Sequence, residues 1–238
     1  MSSADERTDG GPGAARAGAD ALRVSLERRF RTSVTEVSIR GEAIALLHPT
    51  NADDLISEED YVRDERLPYW ADIWPASQVL AGVVRAMDGG GRRLLELGCG
   101  LGLVATAAAR AGFAVTASDY YDDALEFARL NAASAAGAAI ATRMVDWRAL
   151  PPDLGVFDVV AASDVLYERR YGPLVAEVLE ATLAPDGIAL IADPGRVGAD
   201  AFLEECERRG MTARSEAPIP FRANDAMQQI RIYEVRRR

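Results

Sequence analysis

The chain has 238 residues with 27 basic and 37 acidic side chains, so its formal net charge is −10 at pH 7. All the basic residues are arginines, histidine occurs once (His48), and cysteine occurs twice (Cys99 and Cys206). This inventory excludes a P-loop lysine and a lysine Schiff base, and it disfavours a histidine-based zinc site and a disulfide framework. The acidic balance also argues against binding to nucleic acid or to an anionic membrane, because no basic field would attract a polyanion.

The first 75 residues have their own pattern. Residues 1–20 combine small and charged side chains without an apolar core, which predicts a disordered lead rather than a secretory signal. Residues 21–75 are predicted to form an N-terminal extension with a helix over 21–31, a β-hairpin over 34–47 and a tryptophan-rich segment over 67–75. His48 follows the hairpin and is interpreted as a surface residue rather than a catalytic base. No apolar run approaches the roughly 18 residues of a membrane span, so we expect a cytoplasmic protein.

From residue 76 onward, helices and short apolar strands alternate. Strands are predicted over 93–97, 113–118, 139–145, 157–163 and 187–192, with a β-like segment over 229–235. Helices are predicted over 76–87, 103–111, 122–135, 174–183 and 199–209. Strands that alternate with helices favour an α/β fold with a Rossmann-like, doubly wound parallel sheet.

A glycine-rich loop directly follows the first of these strands. It is preceded by Glu96 and carries Gly98, Gly100 and Gly102, so the chain can turn sharply and approach a ligand closely at the carboxyl end of the strand. A dinucleotide fingerprint would need glycine where this chain has Leu103, and Glu96 would repel a pyrophosphate. These two features disfavour a nicotinamide-dependent oxidoreductase. Glu96 instead suits the α-ammonium of an amino-acid-like ligand.

Acidic residues also end the next three strands. Asp119 lies 17 residues after the last glycine of the loop, where a carboxylate can accept hydrogen bonds from a ribose diol. Asp146 and Trp147 could receive an adenine ring, although buried tryptophan packing is a simpler reading. Asp164 and Tyr167 share one face of a helical turn, where Asp164 could cap a helix or hold a substrate. A ribose-binding site and an ammonium-binding site, without a phosphate-binding site, together match S-adenosylmethionine.

The chain resembles the class I, seven-β-strand S-adenosylmethionine-dependent methyltransferases, and more narrowly methyltransferase family 16, known for protein lysine methyltransferases. The resemblance covers roughly residues 65–200. It is carried by residues 70–77 (WADIWPAS), 94–102 (LLELGCGLG), Asp119, Asn131, Asp146-Trp147 and 163–167 (SDVLY). Residues 193–196 (DPGR) are similar to the branch that includes electron-transfer-flavoprotein lysine methyltransferases. The region before Trp70 matches no motif.

The resemblance implies a sheet order of 3-2-1-4-5-7-6 and a cofactor-binding domain over residues 76–238, with S-adenosylhomocysteine as product. It implies no metal. It implies cofactor contacts for Trp74, Glu96, Gly98, Gly100, Gly102, Asp119, Tyr120, Asp146, Trp147 and Ser163. It also implies that Asp164 and Tyr167 line the channel of the methyl acceptor and act in catalysis.

The resulting expectation is N-methylation of a protein lysine side chain. A small-molecule N- or O-methyltransferase of the same fold is an alternative, favoured if the first 75 residues close a lid over the pocket, whereas an open groove beside Asp164 would favour a protein substrate. A non-catalytic cofactor-binding module is a further alternative. We expect no nucleic-acid or membrane partner and a monomer or weak homo-oligomer. Cys99 and Cys206 are expected to be packing residues.

Overall fold

We describe the protein from a computed structural model, which covers residues 12–55, 67–223 and 226–238. Helix α1 (Pro12–Arg29) precedes the antiparallel hairpin of β1 (Thr32–Ile39) and β2 (Glu42–Pro49). Residues 1–11 of the expected disordered lead lie outside the described residues. Its remainder, from Pro12, is helical, so α1 begins earlier than predicted and ends two residues earlier, at Arg29.

The hairpin turn shows how local sequence fixes this extension. Ile39 pairs with Glu42, which leaves Arg40 and Gly41 as a two-residue loop. Both have positive φ angles, 53° and 82°, and this combination matches the right-handed twist of the flanking strands. Short 3₁₀ turns follow over Ala52–Leu55 and Tyr69–Ala71.

The rest of the chain alternates strands and helices as the sequence predicts. The helices are α2 (Pro75–Arg85), α3 (Leu103–Arg110), α4 (Asp122–Ala136), α5 (Tyr171–Thr182) and α6 (Ala199–Arg208). The strands are β3 (Arg93–Leu97), β4 (Ala114–Asp119), β5 (Ala141–Met144), β6 (Phe157–Ser163), β7 (Leu183–Asp193), β8 (Met211–Ser215), β9 (Ile219–Ala223) and β10 (Ala226–Arg237). Helix α5 begins three residues before the prediction, because Pro173 stands in its first turn, where a missing backbone N–H costs no helical hydrogen bond.

The main sheet confirms the α/β class. Its strands run in the order β5-β4-β3-β6-β7-β10-β8, and β9 pairs with β10. Strands β3 to β7 pair in parallel, whereas β10 is antiparallel to β7, β8 and β9. Numbered from β3 as the first strand and without β9, this path reads 3-2-1-4-5-7-6. Within the described ranges no helix combines the length and apolar character needed to cross a bilayer.

Two apolar layers enclose the sheet, because successive side chains of a strand face opposite sides. Leu94 of β3 packs with residues of α2 and α3, whereas Leu95 packs with residues of α5 and α6. Strands β4 and β6 lie on opposite sides of β3. The order of the strands therefore reverses at β3, and in open α/β sheets ligands bind in the crevice at the carboxyl end of such a switch point.

Candidate active site

A cavity of about 350 Å³ lies at this switch point. Its walls come from the glycine loop after β3, the ends of β4 and β6, the tryptophan-rich segment and the β7–α6 turn. A second cavity of about 150 Å³ shares four lining residues with it, so the two adjoin. Of the sequence-predicted site residues, the larger cavity is lined by Trp74, Gly98, Gly100, Asp119, Trp147, Ser163, Asp164 and Tyr167, and the smaller by Tyr120, Asp146, Trp147 and Tyr167.

The glycines of the loop have different structural roles. All three have positive φ angles. A Cβ atom at Gly100 would lie 2.9 Å from the carbonyl oxygen of Trp70, so glycine lets the tryptophan-rich segment close over the loop. A Cβ atom at Gly102 would lie 2.7 Å from that of Ala128 on α4. Gly102 does not line either cavity; it permits close packing of the loop on α4, and its expected cofactor contact stays a prediction.

Glu96 is buried next to the glycine loop. Its side chain is only 2% exposed, and its Oε2 accepts a hydrogen bond of 2.7 Å from the backbone N–H of Ala105, in the first turn of α3. Burial raises the pKa of this carboxyl well above its usual range, and the nearby Asp119 raises it further, although the Ala105 bond lowers it. Glu96 does not line either cavity, and its hydrogen bond with Ala105 joins the strand before the loop to α3; its expected cofactor contact stays a prediction.

Asp119 stands at the end of β4 and lines the larger cavity. One carboxylate oxygen accepts the N–H of Gly100 at 2.9 Å, and the other accepts the N–H groups of Tyr120 and Tyr121 at 2.8 and 3.2 Å. Burial raises the pKa of Asp119, and these backbone hydrogen bonds oppose the rise. The three bonds fix the carboxylate at the cavity surface, where Oδ2, which accepts only the N–H of Gly100, has a lone pair left for a ligand hydroxyl.

The smaller cavity has mainly aromatic walls. Tyr120, Tyr121, Trp147 and Tyr171 all line it, and the rings of Trp147 and Tyr171 meet edge to face at 5.8 Å. Asp146 lines it as well, but its carboxylate is paired with the guanidinium of Arg148 at 2.8 and 2.9 Å. The aromatic faces of this slot can stack on a flat ring, and its polar side chains can bond ring nitrogens or amino groups.

A row of rings continues from this slot into the larger cavity. Tyr167 packs on Tyr171 with ring centres 4.7 Å apart and on Tyr69 at 5.4 Å, and Tyr69 meets Trp74 at 6.0 Å. The indole Nε1 of Trp74 donates to the carbonyl oxygen of Tyr69 at 2.8 Å. Burial and a hydrogen bond with Tyr171 raise the pKa of Tyr167, so its hydroxyl stays neutral. The row forms an aromatic wall that runs from one cavity to the other.

Asp164 faces this wall at the end of β6. It is a non-glycine residue with a positive φ of 58°, and its N–H donates to the carbonyl oxygen of Ala192 at 2.9 Å. Its Oδ1 accepts the Nε–H of Arg196 at 2.6 Å. Its Oδ2 is buried and has no hydrogen-bond partner among the described residues. The carboxylate therefore does not cap α5, the alternative that the sequence left open.

Arg196 is the site residue that sequence reasoning missed as a functional group. It lines the larger cavity, bonded to Asp164, and its guanidinium lies 5.7 Å from the ring centre of Trp74. The sequence did contain a signal for Arg196, because the turn that carries this residue follows β7, the strand next to β6. Among the described lining residues, four acids (Asp72, Asp119, Asp164 and Glu168) face this single arginine.

The other chemically distinctive residues are structural. His48 bonds Thr35 Oγ1 and the carbonyl oxygen of Pro49, each at 2.8 Å, and lies outside both cavities. Cys99 lines the larger cavity, but burial raises the pKa of its thiol well above the usual range, so it is not a thiolate nucleophile. Burial raises the pKa of Cys206 to about 12. The described residues contain no cluster suited to a metal ion.

Comparisons with known proteins agree with this geometry. Residues 63–209 match the family model described as lysine methyltransferase. The chain is 31% identical over 138 residues to the electron transfer flavoprotein beta subunit lysine methyltransferase of Xenopus laevis, with 54% of this chain and 53% of that protein covered. It is 28% identical to protein N-lysine methyltransferase METTL21A of Danio rerio, with 70% of this chain and 82% of that protein covered. The chain thus spans only about half the length of the Xenopus relative.

Solved structures support the fold alone. Magnesium protoporphyrin IX methyltransferase from Synechocystis, solved with bound S-adenosylmethionine, has a TM-score of 0.56 at 20% identity, covering 78% of this chain and 94% of that one. The ribosomal protein L11 methylase from Lactobacillus delbrueckii has a TM-score of 0.52 at 21% identity, covering 68% and 78%. With the family model matching more than half of its residues, the chain belongs to the lysine methyltransferase family.

Proposed function

We propose that this protein is an S-adenosylmethionine-dependent methyltransferase that methylates the side-chain amine of a lysine in a protein substrate. The observation that carries the proposal is the carboxylate of Asp164, which lines a cavity that adjoins an aromatic slot and whose buried Oδ2 has no hydrogen-bond partner among the described residues. An unsatisfied buried carboxylate oxygen is costly, and an amine N–H is a partner that would satisfy it.

The residues of the two cavities fit the three parts of the cofactor. The slot around Trp147 and Tyr120 suits the adenine ring, and the fixed carboxylate of Asp119 suits the ribose hydroxyls. Gly98 and Gly100 line the larger cavity, so the backbone of the loop is available there to the methionine part. When bound, the cofactor supplies a methyl group on a sulfonium sulfur that a neutral amine takes up by direct displacement.

The chain's own residues position the acceptor. Asp164 accepts one N–H of the amine and orients its lone pair, while Trp74 and Tyr167 shield the site from water. A free lysine has a pKa near ~10.4, and only its neutral form attacks. Burial among aromatic rings lowers that pKa, and the last proton leaves through Asp164 or water.

The charge of the site supports a cationic acceptor. Four acids line the larger cavity against one arginine among the described residues, and the whole chain carries a net charge of −10. Both curated relatives are named as lysine methyltransferases. One of them is named for the electron transfer flavoprotein beta subunit, which makes that subunit the first substrate to test.

The test incubates the purified enzyme and methyl-labelled cofactor separately with three samples: this beta subunit, the protein fraction of a cell extract and the small-molecule fraction. Because the enzyme contains no lysine, any methyl-lysine detected by mass spectrometry comes from the substrate. We expect label on lysine in protein. Label in the small-molecule fraction alone would overturn the proposal.

Asp164→Asn tests whether Asp164 acts on the methyl acceptor rather than on the binding of the cofactor. The variant keeps the shape of the side chain but removes its charge, and we expect at least a ~100-fold loss of methyl transfer with cofactor affinity within about threefold of wild type. Asp158→Asn is the matched control, since Asp158 also lies on β6 but accepts the N–H of Arg93 at 2.8 Å outside both cavities. Equal losses of transfer and cofactor binding in Asp164→Asn would contradict the assignment.

A further inference from the structure

We propose that Arg196 is a positioning residue for the methyl acceptor: it holds Oδ1 of Asp164, reserves Oδ2 for one N–H of the acceptor amine, and balances the carboxylate charge so that the bound amine can lose its proton. This inference rests on the function proposed above. It adds a residue whose contribution is to the protonation state of the acceptor rather than to its capture.

The contacts of Arg196 are specific. Its Nε lies 2.6 Å from Oδ1 of Asp164, a short distance typical of a charge-assisted hydrogen bond. The side chain of Asp164 is 5% exposed and that of Arg196 is 37% exposed, so the arginine closes one side of a buried carboxylate. Its guanidinium also lies over the ring of Trp74. One oxygen of Asp164 is thereby occupied, and the other is left without a partner among the described residues.

The backbone around Arg196 is itself held in place. Oδ1 of Asp193, the last residue of β7, accepts the N–H groups of Gly195 and Arg196 at 2.7 and 2.8 Å. Gly195 has a φ angle of 95°, which residues other than glycine rarely adopt. Asp193 therefore fixes the turn that presents the guanidinium to Asp164. The pKa of Arg196 is raised, chiefly by its hydrogen bond to Asp164, so the side chain stays cationic.

The electrostatic surroundings explain why a cation is useful here. An isolated carboxylate beside an amine favours the ammonium form, which cannot attack a methyl group. The other titratable groups around Asp164 would add to this effect or are neutral: they are Asp72, Asp119, Glu168, Tyr69, Tyr121 and Tyr167 on the cavity wall, with Asp193 on the adjacent strand. Arg196 is the cation that opposes them among the described residues of this wall.

The first test measures methyl transfer to a lysine substrate against pH in Arg196→Met. Loss of the cation raises the pKa of the bound amine, so we expect the pH of half-maximal kcat to move up by about one unit, with at least a ~10-fold loss of kcat near neutral pH. KM should stay constant or fall, because the site then holds the ammonium better. Arg85→Met is the matched control, since Arg85 pairs with Glu42 at 2.7 Å outside both cavities.

Arg196→Lys separates charge from geometry. It retains the cation, so its pH profile should stay close to that of the wild type, even though the loss of the planar guanidinium lowers its activity. Intact mass spectrometry checks that the introduced lysine is not itself methylated. A pH profile of Arg196→Lys that matches that of Arg196→Met, or a wild-type profile in Arg196→Met, would overturn the inference.

A binding measurement keeps the inference testable without turnover. Calorimetry in buffers of different ionisation heat counts the protons released when N-acetyl-lysine N-methylamide binds to the enzyme saturated with S-adenosylhomocysteine. We expect the wild type to release more protons than Arg196→Met. Equal release contradicts the inference but leaves the proposed function intact. If neither the wild type nor the Arg85→Met control methylates lysine, the proposed function is contradicted. If the amine does not bind to the wild type, both the inference and the proposed function are contradicted.

Discussion

Two carboxyl groups beneath the glycine loop are buried with unequal numbers of partners. Among the described residues, the carboxylate of Asp119 accepts three backbone N–H groups, whereas the carboxyl group of Glu96 accepts one, from Ala105. Burial raises the pKa of both groups, and the shift of Glu96 is the larger. The folded state therefore favours a protonated Glu96, which resembles an amide in carrying both a hydrogen-bond donor and an acceptor.

Glu96→Gln should consequently stabilise the protein near neutral pH. When a folded carboxyl has a raised pKa, the unfolded chain ionises first as pH rises, so stability falls from about pH 4.5 until the folded pKa is passed. Glutamine removes this loss. We expect the difference in Tm between Glu96→Gln and wild type to be near zero at pH 4 and to increase with pH, at about 2–4 °C per kcal/mol.

Thermal unfolding from about pH 4 to about pH 8 measures this difference, and calorimetry with S-adenosylhomocysteine measures cofactor affinity. Affinity within about tenfold of the wild type agrees with support from beneath the loop. A loss of about 1,000-fold or more, with no gain in Tm, would instead restore Glu96 as a direct partner of the cofactor's ammonium.

The sequence could predict which strand ends carry the site residues but not the tertiary partners of each. The strand pattern places Glu96, Asp119 and Asp164 at the carboxyl ends of neighbouring parallel strands, and they lie there. Burial of Glu96 beneath α3 and pairing of Asp164 with Arg196 depend on side-chain directions across different elements. Spacing along the chain contains no information on these directions.

At the scale of elements, the N-terminal extension docks on α4 beside the glycine loop. Leu26 of α1, Trp70 and Phe127 of α4 belong to one apolar cluster. Phe30 packs edge-on against the rings of both Trp70 and Phe127, at 6.3 and 5.4 Å. Leu101 of the loop belongs to the same cluster, so the extension and the loop both pack against α4.

Asn131 of α4 links these parts with buried hydrogen bonds. Its Oδ1 accepts the N–H of Leu47 at 2.8 Å, and its Nδ2 donates to the carbonyl oxygens of Leu47 and Leu101 at 3.0 Å each. Asn131→Ala leaves three buried backbone groups without this partner, so we expect a destabilisation of about 2–4 kcal/mol and weaker binding of S-adenosylhomocysteine, because Leu101 belongs to the loop.

Urea unfolding and calorimetry measure the two effects. Asn51→Ala is the control, since Asn51 forms exposed hydrogen bonds at 3.1 Å and should lose less than about 1 kcal/mol. A stability loss in Asn131→Ala as small as that of the control would show that Asn131 does not tie the hairpin to the loop.

The elements themselves were largely predictable because their apolar periodicity is strong. Strands β3 and β6 have the predicted bounds, whereas α1 starts well before the prediction. Low hydrophobicity over residues 12–20 suggested disorder, but the same segment is rich in alanine, the residue with the highest helix propensity. The two signals compete, and composition alone does not decide between them.

At the scale of the whole molecule, both the wall of the larger cavity and the chain as a whole carry an excess of acidic residues. The cavity wall has four acids against one arginine among its described residues, and the net charge of the chain is −10. A cationic protein substrate would be attracted over a distance set by ionic strength. If the position of the acids on the wall governs this attraction, removing one of them has a larger effect than removing an acid elsewhere on the chain.

We therefore expect KM for the protein substrate to rise about three- to tenfold between about 20 and about 300 mM NaCl, while cofactor affinity changes less than about twofold.

Asp72→Asn, on the cavity wall, should reduce this salt dependence. Asp88→Asn changes the net charge equally but lies before β3, at the opposite end of that strand from the cavity, and should leave the dependence unchanged. Equal effects of the two variants would mean that total charge acts without local steering, and a KM independent of salt would show that the acidic wall does not attract the substrate.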